Sequence, residues 1–229
     1  MAQAGAPPLT LAALEIRGLA ALPLSQWRPA LRVAGEGKGQ PVITIPGMLA
    51  GDSSISFLRR SLVASGFDAR SSGIAFHAVA TPQSVGLVAR RLADIHAETG
   101  QKVALVGWSL GGLYARVIAQ RHPEMVSAVM TLGSPFSGDP HANNAWRLYE
   151  LLSGHRVETS PFPEKFSDKP PVPTVAVWSA QDGVISPENA RGLPHESDRQ
   201  VEVGGGHLEF ATAAASVRQV IAVLGDVLR

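Results

Sequence analysis

The sequence contains no cysteine at all. That removes disulfide frameworks, thiolate nucleophiles, cysteine-bound zinc and iron–sulfur clusters from consideration. It also lacks an excess of either charge: 20 lysines and arginines face 19 acids, a formal net charge of +1. Such a balance gives no broad electrostatic reason to bind nucleic acid or an anionic membrane. No run of about 18 apolar residues occurs, so no membrane-spanning helix is expected. The N-terminal stretch is apolar in places, but no basic segment precedes the apolar part, and Glu15 and Arg17 interrupt it. A secretory leader is therefore not expected, and the reading is a cytoplasmic protein.

What is present is a core. Hydrophobic residues make up 45% of 229 residues and charged ones 17%, the mark of one compact domain, not a disordered chain. Residues 1–40 read as an N-terminal helical segment, with Leu11, Leu14 and Leu19 at helical spacing around Arg17 and loop signals from Pro23 onward. PVITIPG at 41–47 is a run of β-branched residues without alternation, as in a strand buried on both faces. A helix follows to Gly66. Another over 82–99 carries Val85, Val88, Leu92 and Ile95 on one stripe and stops at Gly100. Strand-like runs return in KVALV, VSAVMTL, PTVAVW and QVEV, and a C-terminal helix carries Val217, Val220, Ile221, Leu224 and Leu228. Strands alternating with helices predict a mainly parallel α/β sheet covered by helices on both faces. In such sheets the chemistry lies beyond the C-terminal ends of the strands. The alternation breaks at about 136–171, where prolines surround the amphipathic NAWRLYELLSG; so long an irregular segment predicts a small cap or lid.

Gly107-Trp108-Ser109-Leu110-Gly111 fits G-x-S-x-G, with a strand before it and a helix after it. At that corner a serine is forced into a strained backbone conformation that lifts its hydroxyl above the sheet, at a helix N-terminus. A serine hydroxyl needs a base. Of the seven histidines, His207 alone falls after the last strand and before the last helix, behind Gly204-Gly205-Gly206. His195 is the reserve. His96 and His122 belong to helices, His77 precedes the elbow, and His141 and His155 fall in the insertion. The acid that orients the imidazole should end a strand between serine and histidine, and Asp182 does so; Asp139, Asp168, Glu188 and Asp198 stand at less suitable positions. Two backbone N–H groups should face the oxyanion: that of Leu110, after the nucleophile, and that of Met48, in the loop opened by Pro46-Gly47. No H-G motif stands there, since Ile45-Pro46 occupy its place. The GDSS run at 51–54 reads as a cap on the following helix, with Asp52 or Ser53 as acceptor. Trp108 either lines a pocket or packs beneath the elbow. Trp146, Leu148, Tyr149, Leu151 and Leu152 are either an apolar wall for substrate or the cap's own core.

The segments IPGMLAGDSS, LVGWSLGGLYAR, TLGSPFSGDP and VWSAQDGVI, with the C-terminal GGGH, resemble the lipase/esterase-like branch of the α/β-hydrolase superfamily. That resemblance implies an α/β-hydrolase sheet over a single domain, 1–229, and hydrolysis of a small-molecule carboxylic ester through an acyl-enzyme. It implies no metal and no organic cofactor. The site would comprise Ser109, Asp182 and His207, the Met48 and Leu110 amides, and Gly47, Trp108, Trp146 and Tyr149 against the substrate. Acyl transfer, thioester cleavage or carbon–carbon hydrolysis on the same serine are alternatives, as is a binding module with a vestigial triad. Neither the natural substrate nor the oligomeric state is marked in the sequence.

Overall fold

The computed structural model describes residues 5–229. Its centre is a six-stranded, wholly parallel sheet in the order β2-β1-β3-β4-β5-β6. The strands are β1 (Pro41–Ile45), β2 (Asp68–Ser71), β3 (Val103–Trp108), β4 (Val126–Leu132), β5 (Thr174–Trp178) and β6 (Arg199–Glu202). Every residue of β1 and β3 is buried, which the unbroken apolar runs predict for strands covered on both faces. β2 was not anticipated. Its sequence, Asp-Ala-Arg-Ser, has no apolar run, because an edge strand needs only backbone pairing with β1.

Helices α1 (Leu9–Ser25), α2 (Ser56–Ala64), α3 (Pro82–Thr99), α4 (Leu110–Arg121), α5 (Trp146–Ser153), α6 (Pro187–Arg191) and α7 (Ala214–Val227) complete the order. The predicted stripe of α3 is its buried face, capped by the Thr81 side chain at one end and left-handed Gly100 at the other. One apolar cluster joins α3 and α4 to one face of the sheet, and a second joins α2 and α7 to the other. Strand order reverses at β1: the chain first moves outward to β2, then crosses back to β3. The loops after β1 and β3 therefore diverge at their C-terminal ends and leave a crevice.

Helix α1 departs from the reading of residues 1–40. It continues to Ser25 with Pro23 inside it. The positions turned inward are Leu11, Glu15, Gly18, Leu22 and Ser25, while Leu19 faces solvent. The side chains of Leu14 and Arg17 lie outside the described residues. The GDSS reading is also corrected. Asp52 does not cap α2; its carboxylate accepts from Ser72 N–H (3.0 Å), Ser72 Oγ (2.9 Å) and Gly73 N–H (2.8 Å), tying the loop after β1 to the end of β2.

Candidate active site

Ser109 sits between β3 and α4 with φ 53° and ψ −120°, one of two non-glycine residues of positive φ among those described. An L-residue holds that conformation only where its surroundings over-determine it. Here they do. A Cβ on Gly107 would collide with the Gly111 carbonyl, and one on Gly111 with the Ile45 carbonyl, so strand, helix and β1 loop meet at backbone distance. Ser109 N–H donates to the Leu132 carbonyl at 2.8 Å, pinning the corner to β4.

Asp182 lies in the loop after β5 and is 1% exposed. Its Oδ1 accepts from the Val184 and Ile185 N–H groups, both at 2.8 Å. Its Oδ2 faces His207 Nδ1, also at 2.8 Å. His207 opens a short 3₁₀ turn over 207–210, where a glycine-rich loop alone was expected. Because a carboxylate only accepts, Nδ1 carries the proton in this pair and Nε2 of the neutral ring keeps its lone pair. Burial alone would push His207 down. The charge of Asp182 and its hydrogen bond, with the charge of Glu15 added, outweigh that and hold the imidazole above the usual histidine range. Ser109 and His207 share no direct hydrogen bond among the described residues.

Trp108 does not line the cavity. It is 3% exposed in the α2/α7 cluster, and its indole N–H donates to the His207 carbonyl at 3.0 Å. It packs beneath the elbow and fixes the histidine's backbone. Gly47 does abut Ser109, since a Cβ there would stand 3.2 Å from Ser109 Cβ. Leu110 opens α4, so its N–H belongs to the helix's unpaired first turn.

His77, set aside as a base because it precedes the elbow, acts on this loop. Burial pushes its pKa down, so the ring is neutral and Nε2–H donates to the Gly47 carbonyl at 2.6 Å. A trans peptide points its C=O and N–H in opposite directions. Anchoring the Gly47 carbonyl therefore aims the Met48 N–H the other way. Behind His77, Nδ1 lies 3.3 Å from the Tyr114 hydroxyl of α4. Only a structure could bring these together, because His77 reaches the loop through an isolated bridge between Ala50 and itself.

A cavity of about 130 Å³ opens at Ser109, lined by Met48, Leu110, Trp146, Tyr149 and Phe166 among others, with no charged side chain on its wall. Trp146 and Tyr149 thus face it. Leu148, Leu151 and Leu152 do not: they are 41%, 79% and 42% exposed. The cap's apolar residues are divided between cavity and solvent. His141, Glu150 and Glu158, also on the cap, bring potential ligand atoms within 4.8 Å of one another. Glu150 already accepts from Val157 N–H, and His141 lies against Asp139 and the Trp146 ring, so the cluster serves the cap's own bonding.

The family model described as alpha/beta hydrolase fold matches residues 66–157, which include β3, the elbow and α4. Solved structures match over most of the chain. The monoacylglycerol lipase of Paleococcus ferrophilus is 16% identical, with 82% of this chain and 96% of that one covered and a TM-score of 0.59. The fold is that of the α/β hydrolases. A lipase-esterase related protein from Clostridium acetobutylicum shares this α/β-hydrolase fold at 12% identity, with 85% and 96% coverage and a TM-score of 0.62. The thioesterase domain of the curacin biosynthetic pathway is 17% identical, with 80% of this chain and 91% of that one covered and a TM-score of 0.55. No curated protein matches the sequence. No described helix is long and apolar enough to cross a membrane.

Proposed function

We propose that this α/β-hydrolase-fold protein cleaves carboxylic esters of small molecules through an acyl-enzyme on Ser109. The observation that carries the reading is the strained Ser109, at the mouth of a charge-free cavity, with a buried Asp182–His207 pair in the loops beyond β5 and β6. His207 Nε2 takes the Ser109 proton as Oγ attacks the ester carbonyl carbon. The carbonyl π pair moves onto oxygen, which the Met48 and Leu110 N–H groups receive. Collapse re-forms the carbonyl and expels the alcohol, protonated by His207. Water, deprotonated by the same imidazole, then repeats the addition on the acyl-enzyme, releases the acid and restores the serine. Asp182 keeps the proton on Nδ1 and stabilises the imidazolium in each half. No step calls for a metal or organic cofactor.

A wall without charge favours an apolar acyl group, because a buried unpaired carboxylate or ammonium there would cost several kcal/mol. The structurally similar lipase and lipase-esterase related protein agree with an ester; the curacin thioesterase domain keeps a thioester as the second reading. The same attack would serve a thioester or deliver the acyl group to an alcohol. A series of p-nitrophenyl esters of increasing chain length, run with parent and Ser109→Ala, tests the proposal. Turnover in the parent that disappears in the variant is expected; turnover retained by Ser109→Ala would overturn it. Competing alcohols and thioesters then sort hydrolysis from transfer by product.

A further inference from the structure

The apolar sequence of α1 conceals one buried acid. Glu15, 9% exposed, stands midway along the inward stripe of that helix. Its Oε1 accepts from the N–H of Gly183 at 2.9 Å and from the N–H of His207 at 2.5 Å, and its Oε2 accepts from Leu208 N–H at 3.1 Å. Gly183 directly follows Asp182. One carboxylate therefore joins the backbone of the loop carrying the acid to that of the turn carrying the histidine. The glycines around both loops record the same contact. A Cβ on Gly206 would come 2.6 Å from Glu15 Oε1, and one on Gly183 would strike the Leu11 carbonyl. From the other side, a Cβ on Gly18 of α1 would stand 2.7 Å from Leu208 Cβ.

We propose that Glu15 is a positioning residue for the Asp182–His207 pair, setting the approach of the two loops and adding negative charge beside the imidazole. The inference rests on the reading of Ser109, Asp182 and His207 given above. Glu15 is not among the residues that line the cavity at Ser109. A carboxylate suits the place because it offers acceptors only, to three donors. A glutamine could satisfy the Oε1 partners but would turn an N–H₂ toward the Leu208 N–H, donor against donor.

The charged groups around His207 are Asp182 from the β5 loop, Glu15 from α1, and Glu209 in its own turn, whose carboxylate accepts from Gly206 N–H at 3.0 Å. Its ring neighbours Trp108 and Phe210 carry no charge. Negative charge favours the imidazolium, and the imidazolium forms as Ser109 attacks. Removing the Glu15 charge lowers the pH at which His207 becomes a free base, so the acid limb of activity moves downward.

The test is steady-state ester hydrolysis from pH 5 to 9 by the parent, Ser109→Ala, Glu15→Gln and Glu15→Asp, with Tm recorded for each. In Glu15→Gln, kcat is expected to fall about tenfold or more, with KM changed less than about twofold. Its acid limb is expected at lower pH than that of the parent. Glu15→Asp keeps the charge but withdraws the acceptors; it is expected to lose kcat similarly with the limb in place, and it carries the test if Glu15→Gln does not fold. An unmoved limb in folded Glu15→Gln, or parental kcat in Glu15→Asp, overturns the proposal while the hydrolase reading stands. Turnover by Ser109→Ala overturns the hydrolase reading and, with it, the role of Glu15.

Discussion

Helices α1 and α4 each bury a charged side chain, Glu15 and Arg116, and use it on the backbone of distant loops, yet the two helices are built in opposite ways. In α4 every residue from Leu110 to Ala119 is buried. Arg116 within it donates to the carbonyls of Phe166, Ser167, Asp168 and Glu196 and lies 4.1 Å from the centre of the Phe136 ring. In α1 the apolar residues Leu9, Ile16, Leu19 and Leu24 are more than half exposed, while Glu15 faces inward and receives three N–H groups. Arg116 gathers carbonyls from the segment before β5 and the loop before β6; Glu15 gathers amides from the loops that carry Asp182 and His207. Hydrophobicity thus marks the interior in α4 and misleads in α1. The guide common to both is that loop backbone groups, once buried, must find a partner.

The comparison can be broken at several points. The largest expected effect lies in the loop that Glu15 joins to His207: Asp182→Asn should lower kcat by about a thousandfold or more with the fold retained, because the amide cannot hold the proton on His207 Nδ1. Stopped or steady-state assays beside circular dichroism would check it. Next comes His77→Leu, which frees the Gly47–Met48 peptide. A loss of about ten- to a hundredfold in kcat with KM nearly constant is expected, the pattern of an interaction made in the transition state. Parental kcat in that variant would show that the loop holds itself.

Arg116→Met should cost about 2–4 kcal/mol in chemical unfolding, since four carbonyls lose their donor. Burial already pulls the Arg116 guanidinium down to about 10, a measure of how little water reaches it. The smallest effect belongs to the outer face of α1: Ile16→Ser with Leu19→Ser should shift stability by no more than about 0.5 kcal/mol. A loss of several kcal/mol would mean that this face is covered in solution.

Much of the fold was legible because buried parallel strands write themselves as apolar runs, and four of the six did so plainly. The elbow was legible because its glycines are demanded by sterics that act within a few residues of sequence. The pairing of Asp182 with His207 was legible from their order relative to the strands. The short polar edge strand β2 was not, since its residues carry no burial signal. The outward turn of Leu148, Leu151 and Leu152 was not, because amphipathic spacing identifies a stripe without saying which side meets water. Asp52, read as a helix cap, found its donors at Ser72 and Gly73, at the end of the neighbouring strand β2. Glu15 and His77 escaped for the same reason: each acts on backbone groups far away in sequence, and no local pattern announces such a partner.

The most direct measurement is intact-mass analysis after exposure to a fluorophosphonate, on the parent and on Ser109→Ala. A single adduct on the parent, absent from the variant, is the result expected of a serine activated by the His207–Asp182 pair. An adduct that persists on Ser109→Ala, or a folded parent that stays unlabelled, would contradict the account.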